Sequence, residues 1–207
     1  MIICFGDSLT AGFQSPTPIN STGQNTPYGQ FLQERLGSSV EIKVNGICGE
    51  LTGEMAMRFR RDVLQHQPSH VVILGGTNDL GWNAEPADIM KNLVKMYELA
   101  RASHITPIPV TVPSIRLDVA NGGPDAETFV GQHLRRRAEL NGLIRDYASS
   151  KGIEWIDLFT ETAEPDTLLL AAQYSNDGLH LTTAGYRLLA TLLYKQVLVK
   201  VFPAARG

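Results

Sequence analysis

Two kinds of apolar pattern alternate along the chain. Five short runs are rich in β-branched and other apolar residues, as buried strands are, and they cover residues 2–5, 40–45, 70–75, 105–110 and 153–158. Longer segments lie between and after them, with apolar residues three or four positions apart, which is the spacing of helices that bury one face. This alternation is typical of a parallel sheet covered by helices. The sequence therefore predicts an α/β fold, a three-layer α/β/α sandwich around a five-stranded parallel sheet.

The predicted helices carry start and stop signals. Pro27 precedes the first long helix and Gly37 follows it, Pro86 opens a later one, and Thr182 or Thr183 is the expected cap of the last. No linker or internal repeat interrupts the alternation, so residues 1–207 are predicted to form one domain. The residues expected on buried helix faces include Tyr28, Phe31, Leu32, Leu36, Met55, Met57, Phe59, Val63, Ile89, Leu93, Met96 and Leu99.

Composition narrows the classes of partner. The 207 residues are 43% hydrophobic and 19% charged, with a formal net charge of -3, which argues against a protein that binds nucleic acid. The dense basic run at 135–137 lies within a helical pattern and is interpreted as a solvated helix face. Cys4 and Cys48 both stand in apolar surroundings, which favours two buried thiols over a disulfide.

Location and assembly are read from the two ends of the chain. The first strand begins at residue 2, so we expect no secretory segment in front of it and a cytoplasmic protein, or a periplasmic or secreted one if a leader has been removed. No apolar run is long enough for a transmembrane segment. The apolar last helix either packs on its own sheet or forms a dimer face, so both a monomer and a homodimer are compatible with the sequence.

The sequence predicts neither a metal site nor a bound cofactor. His66 and His70 have the spacing of a helical ligand pair, but Pro68 between them breaks the helix. There is no phosphate-binding loop, and no dinucleotide-binding G-x-G-x-x-G follows the first strand.

Polar residues follow several of the predicted strands. Residues 6–9 read GDSL, 46–49 read GICG and 76–79 read GTND, while DGLH at 177–180 lies between the fifth strand and the last helix. The carboxyl ends of parallel strands meet at one edge of the sheet, which is where open α/β sheets bind ligands. We therefore expect these four blocks to form one site.

The chemistry of these blocks is complementary. A serine hydroxyl needs a base to become a nucleophile, and His180 can be that base for Ser8 if Asp177 orients its ring. The N–H groups of Ser8 and Gly49 and the side-chain amide of Asn78 are suitable donors for an oxyanion hole. Gly46 lies close by, and a simple loop glycine is the alternative for position 49. Asp7 and Asp79 are interpreted as carboxylates that hold their turns.

These blocks, GDSLT at 6–10, the glycine at 49, GTND and DGLH, resemble those of the GDSL, or SGNH, hydrolase family, in order and over essentially the whole chain from Gly6 to His180. The resemblance implies a flavodoxin-like fold with strand order 2-1-3-4-5 and no cofactor. It also implies that Ser8 is the nucleophile, that His180 and Asp177 complete the triad, and that Gly49 and Asn78 line the oxyanion hole with Ser8. The G-x-S-x-G elbow of α/β-hydrolases is absent.

The expected function is hydrolysis of carboxylic esters with short to medium acyl chains through an acyl-enzyme on Ser8. Alternatives with the same site are a thioesterase or lysophospholipase, a carbohydrate O-acetyl esterase and an acyltransferase, and a non-catalytic flavodoxin-like binding protein is the alternative of another class. Long loops at 12–26 and 111–128 are expected to shape the site. Trp82 either walls the pocket, stacks on a sugar or packs within its loop. The predicted substrate-binding residues are Leu9, Phe13, Trp82, Ile115 and Leu179.

Overall fold

A parallel four-stranded sheet forms the centre of the fold. The computed structural model describes residues 1–18, 23–117 and 126–202. The sheet has the order β4-β1-β5-β6, and β2 and β3 form a separate antiparallel pair. The strands are β1 (Ile2–Gly6), β2 (Phe13–Gln14), β3 (Gln24–Asn25), β4 (Ile42–Gly46), β5 (His70–Leu74) and β6 (Thr106–Pro109).

Helices cover both faces of this sheet. The α-helices are α1 (Ser8–Ala11), α2 (Tyr28–Leu36), α3 (Thr52–Asp62), α4 (Thr77–Gly81), α5 (Pro86–Ala102), α6 (Ala126–Lys151), α7 (Leu158–Thr162), α8 (Thr183–Leu192) and α9 (Val199–Val201). A π-helical segment, Leu193–Leu198, joins α8 to α9, and 3₁₀ turns cover Gly37–Ser39, Leu64–His66 and Ala172–Tyr174. None of the helices within the described residues has the length and apolar character needed to cross a bilayer.

The central strands are buried on both faces. Every residue of β1 and β5 is buried, and successive side chains alternate between two apolar clusters. Ile2 and Cys4 join the cluster under α2 and α8, whereas Ile3 and Phe5 join the cluster under α3, α5 and α6. This is the pattern of a parallel strand between two helical layers, so the prediction of a parallel sheet flanked by helices is confirmed.

The predicted helix ends and faces agree with the structure except at one position. Helix α2 runs from Pro27 as its N-cap to Gly37, whose φ of 67° ends it, and α5 begins at Pro86. Thr182 caps α8 by accepting from the N–H of Gly185. Met57 was expected in the core but is 84% exposed, because it lies on the face of α3 opposite Met55 and Phe59.

The predicted five-stranded sheet with order 2-1-3-4-5 is wrong, since the sheet ends at β6. The segment at 153–158 makes a single parallel bridge, between Ile156 and Val110. The N–H groups of Thr106 and Val110 point to β5, so positions 107 and 109 face the missing fifth strand. Both are prolines and have no N–H to donate. Asp157 then caps α7, which ends the extended segment.

The predictions about the cysteines, the last helix, the long loops and the domain have mixed outcomes. Cys4 is buried, but Cys48 lies exposed in the loop after β4, so the expectation of two buried thiols is wrong. Leu189, Leu193 and Val197 pack into the chain's own core, as expected for the last helix. Parts of the two long loops, 19–22 and 118–125, lie outside the described residues. The single-domain assignment of 1–207 stays a prediction.

Substitution of a central core residue tests this architecture. Ile73 in β5 is fully buried against α3 and α5, so Ile73→Ala is expected to lower the free energy of unfolding by about 2–5 kcal/mol in urea denaturation. Met57→Ala, at an exposed position, is the matched control and should change it by less than about 0.5 kcal/mol. Equal losses in the two variants would contradict the assigned burial.

Candidate active site

Ser8 lies where β1 gives way to a short helix. Strand β1 ends at Gly6, Asp7 caps α1, and its Oδ1 accepts the N–H of Leu9 at 2.9 Å. The start of α1 rests directly on the end of β4, because a Cβ at Gly46 would come within 2.6 Å of the Asp7 carbonyl oxygen. Ser8 is only 3% exposed. The fold therefore fixes the serine at the carboxyl edge of the sheet, where the sequence places it.

His180 and Asp177 meet Ser8 across the fold. The Nε2 atom of His180 is 3.2 Å from the Ser8 hydroxyl oxygen, and its Nδ1 atom is 2.7 Å from Oδ2 of Asp177. With the proton assigned to Nδ1, which the carboxylate favours, Nε2 is free to accept the serine proton. The three side chains therefore have the arrangement of a nucleophile, a base and an orienting carboxylate.

A tight turn holds Asp177 against the histidine. Oδ1 of Asp177 accepts the N–H groups of Leu179 and His180 at 2.9 and 2.8 Å. Gly178 has a φ of 81°, and a Cβ there would lie 1.6 Å from the carbonyl oxygen of Arg116, so only glycine fits. Ser15 donates its hydroxyl to Oδ2 of Asp177. No motif in the sequence points to Ser15, which lies in the loop after β2.

Hydrogen bonding keeps Asp177 ionised. Its partial burial raises the pKa of Asp177, but hydrogen bonds from His180, Ser15 and the two backbone N–H groups outweigh this and hold the pKa well below its ordinary value. The carboxylate is therefore charged across the neutral range. It can stabilise the imidazolium that forms when His180 takes up a proton.

The candidate oxyanion donors come from the first turns of two short helices and from the loop after β4. Ser8 opens α1, and first-turn N–H groups have no acceptor within their own helix. Asn78 in α4 donates one amide hydrogen to the carbonyl of Glu50 at 3.0 Å, which leaves its second hydrogen for a ligand. Gly49 is exposed with a φ of 78°, and it lies in the loop that Asn78 holds. Gly46 is explained by its contact with α1, so Gly49 remains the oxyanion candidate.

Asp7 and Asp79 brace the turns, as the sequence indicates. Asp79 accepts the N–H and the hydroxyl of Thr52, which ties α4 to α3. Oδ2 of Asp7 is buried and has no hydrogen-bond partner among the described residues. Burial raises the pKa of Asp7 to about 7, although the N–H of Leu9 and the neighbouring His180 and Arg137 side chains lower it.

A cavity of about 330 Å³ opens beside these loops. Asn78, Trp82, Ile115 and Leu179 contribute to its wall, and the substrate-binding role of the last three stays a prediction. Trp82 is 80% exposed at its rim, so it is not a packed loop aromatic. Phe13 lies instead against the His180 ring, with 4.6 Å between ring centroids. The placement of Leu9 at the substrate is wrong, because it is fully buried in the core.

Two polar residues that line this cavity, Arg137 and His133, were not predicted as site residues. Arg137, expected on a solvated face, is 2% exposed and donates to the Thr77 hydroxyl at 2.9 Å and to the Pro113 carbonyl at 2.8 Å. Its side chain therefore braces the start of α4 next to Asn78. His133, one turn earlier on α6, is also buried and lines the cavity. Burial and the neighbouring arginines lower the pKa of His133, which favours its neutral form.

Comparison with known proteins identifies the family to which this site belongs. The sequence matches the GDSL-like lipase/acylhydrolase family over residues 4–188, which includes all four blocks. The chain is a member of this family. The resemblance drawn from the blocks is thereby confirmed, and the acylhydrolase family comprises enzymes that act on small ester substrates.

Individual relatives of this GDSL-like protein are distant. An arylesterase of Vibrio mimicus is 31% identical over 114 residues, which are 54% of this chain and 55% of that protein. The uncharacterized lipoprotein YqeF of Bacillus subtilis is 23% identical over 90% of this chain and 85% of its own. The structure of a carbohydrate acetylesterase from Sinorhizobium meliloti superposes with a TM-score of 0.75 at 21% identity, covering 96% of this chain and 98% of that one. This last likeness shows the shared fold.

The buried Asp7 predicts an unusual dependence of stability on pH. The pKa of Asp7 is about 7 in the folded protein against an ordinary value of 3.8, so between these pH values the folded state holds a proton that the unfolded state has released. Stability therefore falls as pH rises through this window. In Asp7→Asn this loss is absent, so the variant should gain up to about 4 kcal/mol relative to wild type between pH 4 and pH 7.5.

Urea unfolding at the two pH values measures this difference. Asp88→Asn, which removes a carboxylate from the surface of α5, controls for the loss of one charge. If wild type and Asp7→Asn show parallel pH profiles, Asp7 does not carry the buried proton.

Proposed function

We propose that this chain is a serine ester hydrolase that cleaves carboxylic esters with short to medium acyl chains. The observation that carries the proposal is the continuous pair of contacts from Ser8 Oγ to His180 Nε2 at 3.2 Å and from His180 Nδ1 to Asp177 Oδ2 at 2.7 Å. Membership of the acylhydrolase family supports the same class of reaction. A flavodoxin-like protein that binds a flavin or accepts a phosphoryl group has no use for this serine, asparagine and Asp-x-x-His together, which argues against the non-catalytic alternative.

The reaction begins with transfer of the Ser8 proton to Nε2 of His180 as Oγ attacks the ester carbonyl carbon. The N–H groups of Ser8 and Gly49 and the free amide hydrogen of Asn78 bind the oxyanion of the tetrahedral intermediate. His180 then gives its proton to the leaving alcohol, and the acyl group stays on Ser8. Water, deprotonated by His180, releases the carboxylic acid in the second half of the reaction.

The cavity supports the proposed range of acyl chains. Its volume of about 330 Å³ is at the lower end of the range for small-molecule sites. Ile115 and Leu179 give it apolar walls next to Asn78, while the buried Arg137 and His133 lie at the cavity too. Such a site suits an acetyl or butyryl group better than a long alkyl chain.

A carbohydrate O-acetyl esterase is the second candidate function. Trp82 lines the same cavity as Asn78, four residues before it in sequence, and it is 80% exposed to solvent. An exposed indole in this place can stack on the apolar face of a sugar ring while a short acetyl group enters the cavity. The shared fold with the Sinorhizobium acetylesterase is compatible with this reading.

Cytoplasmic location or export stays a prediction, and the lipoprotein relative favours testing export.

Hydrolysis of a p-nitrophenyl ester series from acetate to palmitate, without added metal, tests the proposal. Wild type should turn over acetate and butyrate faster than octanoate and longer esters, because the cavity is small for a ligand site. Ser8→Ala should lower kcat by roughly 10⁴- to 10⁶-fold. Ser38→Ala, at an exposed serine in the turn after α2, is the matched control and should retain wild-type activity.

Three results discriminate the alternatives. Activity that survives Ser8→Ala contradicts the serine mechanism, and octanoate faster than acetate and butyrate by orders of magnitude contradicts the short acyl pocket. Release of acetate from an acetylated sugar that falls in Trp82→Ala, while p-nitrophenyl acetate turnover is retained, supports the carbohydrate esterase.

A further inference from the structure

The guanidinium of Arg58 forms a buried network next to the candidate oxyanion loop. Arg58 projects from α3 and is only 7% exposed. Its Nε and Nη2 atoms bind the two carboxylate oxygens of Glu50 at 2.7 and 2.5 Å, as a two-pronged pair. Nη1 donates to Oδ1 of Asn45 at 2.6 Å and to Asp62 at 3.1 Å. The guanidinium carbon lies 4.1 Å from the centre of the Phe5 ring.

This network connects the parts of the chain that carry the catalytic groups. Nη2 of Arg58 also donates to the carbonyl of Gly6, two residues before Ser8, at 3.0 Å. Glu50 follows Gly49 directly, and its carbonyl accepts the amide of Asn78 at 3.0 Å. One side chain therefore links the end of β1, the end of β4 and the Gly49 loop, and Glu50 extends the link to α4.

The physical cost of this network indicates a role other than stability. Two charges taken out of water lose much of their hydration, and an apolar pair of similar volume often stabilises a fold as well or better. An apolar pair makes no directional hydrogen bonds, so it cannot fix the orientation of the groups around it. The planar guanidinium fixes the Glu50 carboxylate at two points and the Gly6 carbonyl at a third, so it sets the distance between the nucleophile turn and the Gly49 loop.

We infer that Arg58 is a positioning residue, whose guanidinium holds the Gly49–Glu50 loop and the end of β1 so that the oxyanion donors are aimed at the carbonyl that Ser8 attacks. This inference rests on the proposed ester hydrolysis. Arg58 itself has no contact with the cavity beside Asn78. Its effect reaches the reaction through Glu50 and Gly6.

Positioning of this kind has a kinetic signature. The oxyanion exists only in the tetrahedral intermediate and the transition states around it, so misaimed donors lower kcat and leave the binding of the ester ground state largely unchanged. Loss of one donor typically lowers kcat by about 10²- to 10³-fold. Displacement of the loop without removal of a donor should lower kcat by roughly 10- to 100-fold, with KM within about twofold.

Arg58→Lys is the decisive variant. It keeps the charge beside Glu50, but an ammonium group cannot bind the carboxylate at two points and reach Gly6 and Asn45 together. Arg60→Lys on the same helix is the matched control, because the Arg60 side chain is exposed and has no hydrogen bond or ion pair with the described residues. Arg58→Met serves as the stronger variant, and Arg58→Lys decides if Arg58→Met does not fold.

The measurements are kcat and KM on p-nitrophenyl butyrate, with Ser8→Ala alongside, and amide hydrogen exchange of a peptide covering 47–51. The inference is supported if Arg58→Lys lowers kcat at least tenfold at nearly constant KM, while Arg60→Lys behaves as wild type. It is overturned if kcat falls less than tenfold, if KM rises along with the fall in kcat, or if Arg60→Lys shows the same change.

Failure of the proposed function gives a different result. In that case wild type shows no hydrolysis that depends on Ser8, whatever stands at position 58. Hydrogen exchange then decides the positioning role alone: faster exchange confined to 47–51 in Arg58→Lys supports it, and unchanged exchange in that peptide overturns it.

Discussion

The structure depends on the close approach of three strand ends beneath the nucleophile turn. A Cβ at Gly6 would come within 2.1 Å of the carbonyl oxygen of Leu74 at the end of β5, and a Cβ at Gly46 within 2.3 Å of the N–H nitrogen of Ala11 in α1. Without side chains at these positions, α1 can lie on the ends of β1 and β4. Ser8 is thereby held at the sheet edge to which the Gly49 loop, Asn78 and His180 also come. Close packing around these two glycines therefore sets the position of Ser8, the proposed nucleophile.

The ionisable groups around this turn differ in pKa and in role because their surroundings differ. Asp177 accepts several hydrogen bonds and stays ionised beside His180, whereas Asp7, one residue from Ser8, is buried with one unpartnered oxygen and a pKa of about 7. The surroundings therefore favour the ionised form of Asp177 and the protonated form of Asp7. Arg58 and Arg137 tie the surrounding loops from α3 and α6, so the helices on one face of the sheet brace the catalytic edge.

How far the sequence predicts this arrangement depends on the range of the interaction. Short apolar runs predicted β1 and β5, and Pro27, Gly37 and Pro86 marked helix ends, because these signals are local. Pro107 and Pro109, which explain why no fifth strand pairs with β6, are also a local feature of the sequence. Only the direction of the β6 hydrogen bonds, however, shows that these prolines face away from β5. The triad blocks were found because each follows a strand or precedes a helix with a characteristic set of residues.

Contacts between distant segments were predicted only where a recognisable block lies at both ends, as for Ser8 and His180, and the other distant contacts were not predicted. Ser15 reaches Asp177 across 162 positions, Arg137 reaches Thr77 across 60, and Arg58 reaches Gly6 across 52. Nothing in the local pattern distinguishes Arg137 from its neighbours at 135 and 136, and Leu9 stands beside Ser8 in sequence yet points into the core. Side-chain direction on a short helix is set by tertiary packing, which the sequence pattern does not carry.

The central claim, that His180 activates Ser8 as the nucleophile, is tested most directly by covalent labelling with a fluorophosphonate. The serine oxygen attacks phosphorus and fluoride leaves, so the adduct marks the nucleophile. Peptide mass spectrometry should find one adduct, on Ser8, that is absent in Ser8→Ala and forms far more slowly in His180→Ala. An adduct on another residue, or labelling of Ser8 at the wild-type rate in His180→Ala, would contradict the account.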